Sequence, residues 1–263
     1  MHTQKLRGMI LFVVVILGVS AVFAGTDGVR KKRVLPHDYG NVVMNNFSQK
    51  NNIAPVMFNH WLHRAKYTCR LCHVDLGFAM QANATRMREE DNKKGFYCGA
   101  CHNETEAFGN ESWRPFGEKT KNCDRCHSVE KNVIFEKDFY TFTAKLPRER
   151  FGNWIDWERA ENEGMITLKD YLEGISVKKK PLNIPKDSEV KPKAECMPDI
   201  LFSHRKHTAW SGCELCHPDI FDVKKDGTKY SMSDIFAGKY CGLCHGRVSF
   251  PNADCQRCHT KEI

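Results

Sequence analysis

A mainly α chain with low regular secondary structure, built as two tandem modules joined by a connector, is what the sequence predicts, and three observations predict it. Cys-x-x-Cys-His occurs six times, beginning at Cys69, Cys98, Cys123, Cys213, Cys241 and Cys255. The motifs fall into two runs of three that repeat one another in order and in flanking residues. They are also crowded. About 40 mature residues per motif are too few to build a conventional apolar core around each one.

Each motif supplies two thiols and an adjacent histidine. Thiols at this spacing can each add to a vinyl group of one haem, and the histidine that follows is held beneath the iron as its proximal ligand. The attaching pairs are then Cys69/Cys72, Cys98/Cys101, Cys123/Cys126, Cys213/Cys216, Cys241/Cys244 and Cys255/Cys258. The proximal histidines are His73, His102, His127, His217, His245 and His259. With 12 histidines in 263 residues, a histidine after all six pairs has a chance probability on the order of 10⁻⁸. A zinc ribbon made from pairs such as Cys98/Cys101 and Cys123/Cys126 has similar spacing. Thirteen cysteines in an exported chain could instead form a disulfide framework. Neither accounts for the histidine that follows every pair. Cys196 is left over and reads as a buried thiol in preference to an intermolecular disulfide. Six covalently bound haem c groups would themselves fill much of the core, with short loops between them.

The first 24 residues read as an export signal. Lys5 and Arg7 give the positive start, Met9 to Val22 the apolar stretch, and Val22-Phe23-Ala24 the small-residue cleavage site. The apolar run is short for a membrane span, which favours cleavage over an uncleaved anchor. Covalent haem attachment outside the cytoplasmic membrane agrees with export, to the periplasm or the outer cell surface. Losing residues 1–24 lowers the formal charge from +8 to about +6. Haem propionates, about twelve for six groups, balance that charge, and no nucleic-acid motif accompanies the lysines.

The repeat extends beyond the motifs. The first copy runs Phe58-Asn59-His60-Trp61-Leu62-His63, then the motifs at Cys69, Cys98 and Cys123. The second runs Phe202-Ser203-His204-Arg205-Lys206-His207, then the motifs at Cys213, Cys241 and Cys255. Phe-x-His-x-x-His ahead of three Cys-x-x-Cys-His motifs resembles the triheme, cytochrome c7-type c cytochromes, over about residues 56–128 and 200–260. The resemblance implies that His60 partners His73, His63 partners His102, His204 partners His217, and His207 partners His245. Helical geometry agrees: histidines at i and i+3 share one face, about 5–6 Å apart, and can serve two adjacent haems. The domains expected are a signal peptide at 1–24, an N-terminal extension at 25–55, and a triheme module at 56–129. A connector and linker at 130–195 and a second triheme module at 196–263 complete the chain.

The third haem of each module departs from the bis-histidine pattern. Lys94 and Ala237 stand where that pattern has a histidine four residues before the second motif. Met232 is the natural ligand for the His259 haem, and its counterpart in the repeat is Glu89. His37, Met80 and Met87 are the candidates for the His127 haem. Outside the signal, His37 is the one histidine that the motifs and pairs leave over. With one methionine it completes twelve axial ligands for six irons, so that no substrate position stays open.

Residues 130–195 are not a haem module. Phe135, Phe139, Tyr140, Phe142, Phe151, Trp154 and Trp157 are expected to pack against the modules. Asp156–Gly164 and Thr167–Gly174 read as short helices ended by glycine, and 178–193 as a solvated Pro/Lys-rich linker. The resemblance implies a hexahaem electron carrier rather than an enzyme, in anaerobic or extracellular, metal-reducing respiration. Its redox partners would be donor and acceptor cytochromes or a membrane quinol-linked complex, with no membrane association required. A multihaem reductase is the alternative and needs an iron with an open distal side beside acid/base or cationic groups. A subunit of a cytochrome filament or respiratory complex is another. It would use 25–55, Cys196 and 130–160 as contact surfaces.

Overall fold

The computed structural model describes residues 33–109, 111–113, 119–129, 135–176, 178–179, 183–192 and 197–260. The expected export signal and Cys196 lie outside the described residues. The chain divides into Met1–Val34, of which residues 33–34 are described, and Leu35–Ile263, to which everything below belongs.

The first module opens with an antiparallel hairpin of β1 (Asn41–Met44) and β2 (Val56–Asn59), in register from Asn41 opposite Asn59 to Met44 opposite Val56. Asn59 Nδ2 donates to Asn41 Oδ1 at 2.8 Å, tying the strand ends together where α1 (His60–Arg64) begins. The short helix α2 (Glu89–Lys93) carries three acids in its first turn, where the helix dipole favours them. Asp91 Oδ2 there accepts from Arg88 N at 2.8 Å. A small hairpin of β3 (Glu111–Trp113) and β4 (Lys119–Lys121) leads into α3 (Cys123–Cys126).

The connector holds α4 (Phe135–Thr143) and α5 (Trp157–Asn162). Asp156 caps α5 by accepting from Arg159 N at 3.0 Å, and Gly164 follows its last turn at φ +71°. The second expected helix, 167–174, does not form. Its backbone pairs with the first module instead: Lys169 N donates to Lys66 O at 2.7 Å, and Thr68 N to Lys169 O at 3.1 Å. The solvated-linker reading of 178–193 also changes, because β5 (Ser188–Val190) lies within it and pairs antiparallel with β6 (Ile200–Phe202). The second module therefore has its own opening hairpin, as the first does. It continues with α6 (His204–Ser211), α7 (Met232–Phe236) and α8 (Cys255–Cys258).

Side chains pack into a core where no motif stands. Trp61 and Ala65 of the first module meet Phe139, Leu146, Ile155, Trp157, Ala160 and Ile166 of the connector. Trp61 and Phe139 are 2% and 0% exposed and cross edge-to-face at 5.1 Å. The aromatic connector thus packs on the first module through Phe139 and Trp157, whereas Phe142 and Trp154 stay 40% and 46% exposed. Around the motifs the chain is mostly turns, with short helices of three to five residues.

Candidate haem-binding sites

Local backbone geometry is the same in both copies of the middle motif. Tyr97 and Tyr240 take φ of +49° and +51°, and the 3₁₀ turns Tyr97–Ala100 and Tyr240–Leu243 follow. Glycine is required at the next motif position. A Cβ on Gly99 would stand 1.8 Å from Asn92 O, and one on Gly242 would stand 2.0 Å from Ile235 O. The motif is pressed against the helix before it, α2 in one copy and α7 in the other.

The histidines carry the most informative pattern. All ten in the motifs and pairs turn Nδ1 to a backbone carbonyl, and matching positions in the two modules use matching carbonyls. His60 bonds Gly40 O at 2.8 Å and His204 bonds Lys186 O at 3.1 Å, each just ahead of the hairpin's first strand. His63 and His207 bond Asn59 O and Ser203 O, four residues back, at 3.0 and 2.8 Å. His73 bonds Phe78 O and His217 bonds Phe221 O, at 2.8 and 2.7 Å. His102 bonds Phe108 O and His245 bonds Phe250 O, at 2.9 and 3.2 Å. His127 bonds Ala54 O and His259 bonds Pro198 O, at 2.7 and 2.8 Å, each two residues ahead of the second hairpin strand. An imidazole whose Nδ1–H is held by a carbonyl has its tautomer fixed and presents Nε2 as a free lone pair, the usual arrangement of a metal ligand.

Burial keeps five of these rings neutral. It pushes the pKa of His60 and of His245 down to about 4 and lowers those of His63, His73 and His207. At neutral pH they are therefore lone-pair donors rather than cations.

Three ring pairs face one another across a gap. His60 and His73 are 6.4 Å apart between ring centres and nearly parallel, at 7°. His63 and His102 stand 6.3 Å apart, and His207 and His245 stand 6.2 Å apart. Two imidazoles on opposite faces of one metal, each with a bond of about 2.0 Å, have centres roughly 6 Å apart. Phe58 and Phe202 wedge the paired histidines from behind, at 4.3–4.7 Å and 4.3–5.0 Å. His204 and His217 are not brought into such a face-to-face pair among the described residues; each holds its own carbonyl.

No disulfide joins any of the twelve motif cysteines. Burial raises the pKa of Cys72, Cys98 and Cys244 to about 12 and that of Cys241 to about 11, so these stay protonated. Among the described residues, no three His, Cys, Asp or Glu side chains converge as a bare zinc ion needs. The donor set suits haem c: paired thiols for attachment, with neutral, tautomer-fixed imidazoles beside them.

The remaining candidates stand apart from this pattern. His37 has a buried Nδ1 without a partner, and its Nε2 lies 3.6 Å from Asp38 Oδ2. It sits near Asn41, at the opposite end of the hairpin from Ala54 and His127. Met87 Sδ lies 3.8 Å from Cys98 Sγ, and Met80 is half-buried. Met232 is the first residue of α7, behind the cap in which Asp234 N donates to Ser231 Oγ at 3.2 Å, and it is 42% exposed.

Several site neighbours are invisible to motif reading. Arg125 lies 3.5 Å over the Phe108 ring and Arg257 lies 4.7 Å over Phe250, so the third motif of each module reaches the residue that anchors the second motif's histidine. Arg70, 2% exposed, donates to Asp75 Oδ1 at 2.7 Å and to Asp170 Oδ1 at 3.1 Å. Its signal in the sequence is only a cation inside a motif.

A profile of cytochrome c7 and related cytochrome c matches residues 56–128 and 200–260, just over half of the chain. No curated protein matches it. Among solved structures, the C-terminal hexaheme fragment of GSU1996 is 25% identical, over 84% of this chain and 97% of that one, with a TM-score of 0.27. A c7-type three-heme cytochrome domain is 36% identical, over 30% of this chain and 99% of that one, with a TM-score of 0.27. The dodecaheme cytochrome c GSU1996 is 23% identical, over 87% and 75%, with a TM-score of 0.26. These superpositions are loose, and membership rests on the sequence match. The chain is a multihaem c-type cytochrome and belongs to the cytochrome c7 and related cytochrome c family.

Proposed function

We propose that the chain holds six haem c groups, three per module, and carries electrons between redox proteins in the periplasm or at the outer cell surface. The observation that carries this reading is the doubled set of five Nδ1–carbonyl hydrogen bonds, with ring pairs spaced at 6.2–6.4 Å. Haem c supplies a reversible one-electron couple when bound. The protein's own residues do the rest. The twelve motif thiols tether the group, and His73, His102, His127, His217, His245 and His259 present Nε2 from one side. His60, His63, His204 and His207 present Nε2 from the other. Met232 serves the His259 site, and one of His37, Met80 and Met87 serves the His127 site. The carbonyl bonds fix every ring, so little reorganises when the charge changes. Burial of His60, His63, His73, His207 and His245 disfavours their protonation. Donor and acceptor cytochromes of an anaerobic, metal-reducing respiration are the partners this reading implies. Among the described residues no helix is long and apolar enough to cross a membrane.

The test is a haem count by intact mass, with electron paramagnetic resonance of the oxidised protein and carbon monoxide titration of the reduced one. Six haems, all low-spin, with no carbon monoxide bound, are expected. Stoichiometric carbon monoxide binding with a high-spin ferric signal would replace the carrier by a reductase.

A further inference from the structure

We propose that electrons cross between the two modules at the first motif, Cys69–His73, and that the guanidinium of Arg64 sets the potential of that crossing point. This rests on the electron-carrying reading and adds to it the order of the sites. The crossing is a bare one-electron exchange: one site is oxidised as its neighbour is reduced, and no bond forms or breaks.

The first motif and the segments around His60, its partner histidine, touch the second module on two sides. Arg70, inside the motif, places its Cδ 2.6 Å from where a Cβ on Gly212 would stand, and Glu214 Oε2 is 2.8 Å from the same point. Gly212 directly precedes the fourth motif, and Glu214 lies inside it. On the other side, Gly40 packs between His60 and the loop after the fifth motif. A Cβ there would be 3.6 Å from His60 Cβ and 3.8 Å from Arg247 O and Val248 Cα. Arg64 Nη1 donates to Val248 O at 2.9 Å, and Val248 N is itself bonded to Cys244 O at 3.0 Å. Tyr39 OH donates to Ser249 O in the same loop.

The third motif is anchored elsewhere. His127 bonds Ala54 O, and Val129 N donates to Pro55 O, at the far end of the β1–β2 hairpin from Gly40. Ala54 and Asn59 are about 16 Å apart along the strand at about 3.3 Å per residue. Contacts between motifs agree with this order. Arg125 of the third motif lies over Phe108, whose carbonyl holds His102 of the second, and His60 and His63, three residues apart on α1, belong to the first and second sites. Arg257 of the sixth motif lies over Phe250, whose carbonyl holds His245 of the fifth. The sites thus run third, second, first, then fourth and fifth, then sixth.

Arg64 stands in this junction as a fixed cation. Its Cζ lies 5.1 Å from the Trp157 ring and 5.8 Å from the Trp210 ring, with Cys69, Tyr39, Cys244 and Glu161 as its charged or titratable neighbours. Guanidinium keeps its proton at any physiological pH. A positive charge between two indoles, partly screened from water, favours the reduced state of nearby irons, whose charge is one unit lower. The repeat puts Thr208 at this place in the second module, so the effect belongs to the junction alone.

The test compares Arg64→Gln, which keeps an N–H donor, with Arg64→Lys, which keeps the charge, by potentiometric titration with site-resolved NMR on the full six-haem chain. In Arg64→Gln the reduced fraction at the His73 and His245 sites should fall about tenfold at fixed potential, about 59 mV for one electron. The His127 and His259 sites should hold their potentials, and Arg64→Lys should restore most of the loss. No shift, or an equal shift at every site, overturns the assignment. If Arg64→Gln does not fold, the wild-type protein decides by pairwise redox interactions. The strongest cross-module interaction should join the His73 site to the His217 or His245 site, and one that joins His127 instead overturns the order. A wild-type chain without haem would overturn the functional reading itself, which the haem count detects separately.

Discussion

Gly99 and Gly242 show how one residue can decide a site. Each occupies a variable position of its motif, and neither φ calls for glycine; the close approach of a backbone carbonyl does. Asn92 O is part of α2 and cannot turn aside as a flexible side chain would, so a Cβ at 1.8 Å must displace either the helix or the motif. Gly99→Ala should therefore lose attachment at Cys98/Cys101 and lower the haem count by one, read by intact mass. Gly77→Ala is the control: its φ is +72° with open space around the Cβ, so it costs only the left-handed strain, about 1–2 kcal/mol. A fully loaded Gly99→Ala protein would show that the motif moves more freely than its packing implies. Residue types and spacing were enough to single out the candidate ligands. The carbonyls that hold His60, His127, His204 and His259 were not legible, because Gly40, Ala54, Lys186 and Pro198 lie in segments with no motif and reach the histidines only through the hairpins.

The connector shows what local patterns miss at the level of elements. Asp156 as a cap and Gly164 as a stop mark α5 in the sequence, and both act as read. The stretch 167–174 has similar punctuation yet is drawn into pairing with Lys66 and Thr68, since distant backbone groups satisfy its hydrogen bonds. Strand β5 hides in a polar run because its partner, β6, lies beyond the Pro/Lys-rich stretch. The aromatic half of the connector divides by burial. Phe139→Ala should cost about 3–5 kcal/mol in chemical denaturation, because it empties a fully buried site against Trp61. Phe142→Ala, at 40% exposure, should cost well under half of that. Equal costs would mean that the core is filled from elsewhere once the haems are in place. Arg205 stands in the second module where Trp61 stands in the first, so α6 has no aromatic to offer the connector in the same way.

At the scale of the whole molecule, the repeat suggests two equal beads on a linker, but the polar contacts describe one body. Lys206 of α6 pairs with Glu158 of the connector at 2.7 Å, Trp210 Nε1 donates to Glu161, and Arg257 pairs with Glu149. Arg64 and Tyr39 add hydrogen bonds from the first module to the loop Val248–Ser249. None of these pairs has a sequence signature, since each joins residues from segments that no motif relates. Single exposed ion pairs contribute about 0–1 kcal/mol. Here they ring a junction where Arg64 lies over two indoles and glycines let backbones meet, so they act on a surface already partly shielded from water. Covalent continuity through 178–187 should then be dispensable for holding the modules together. A protease site placed at exposed Ile184 tests this on the haem-loaded protein. After complete cleavage, the two pieces should co-elute at the size of the uncut chain at low and at moderate salt, and separate only in denaturant. Separation in moderate salt alone would reduce the junction to surface ion pairs, because charge screening acts on those and not on the packing of Arg64 between Trp157 and Trp210.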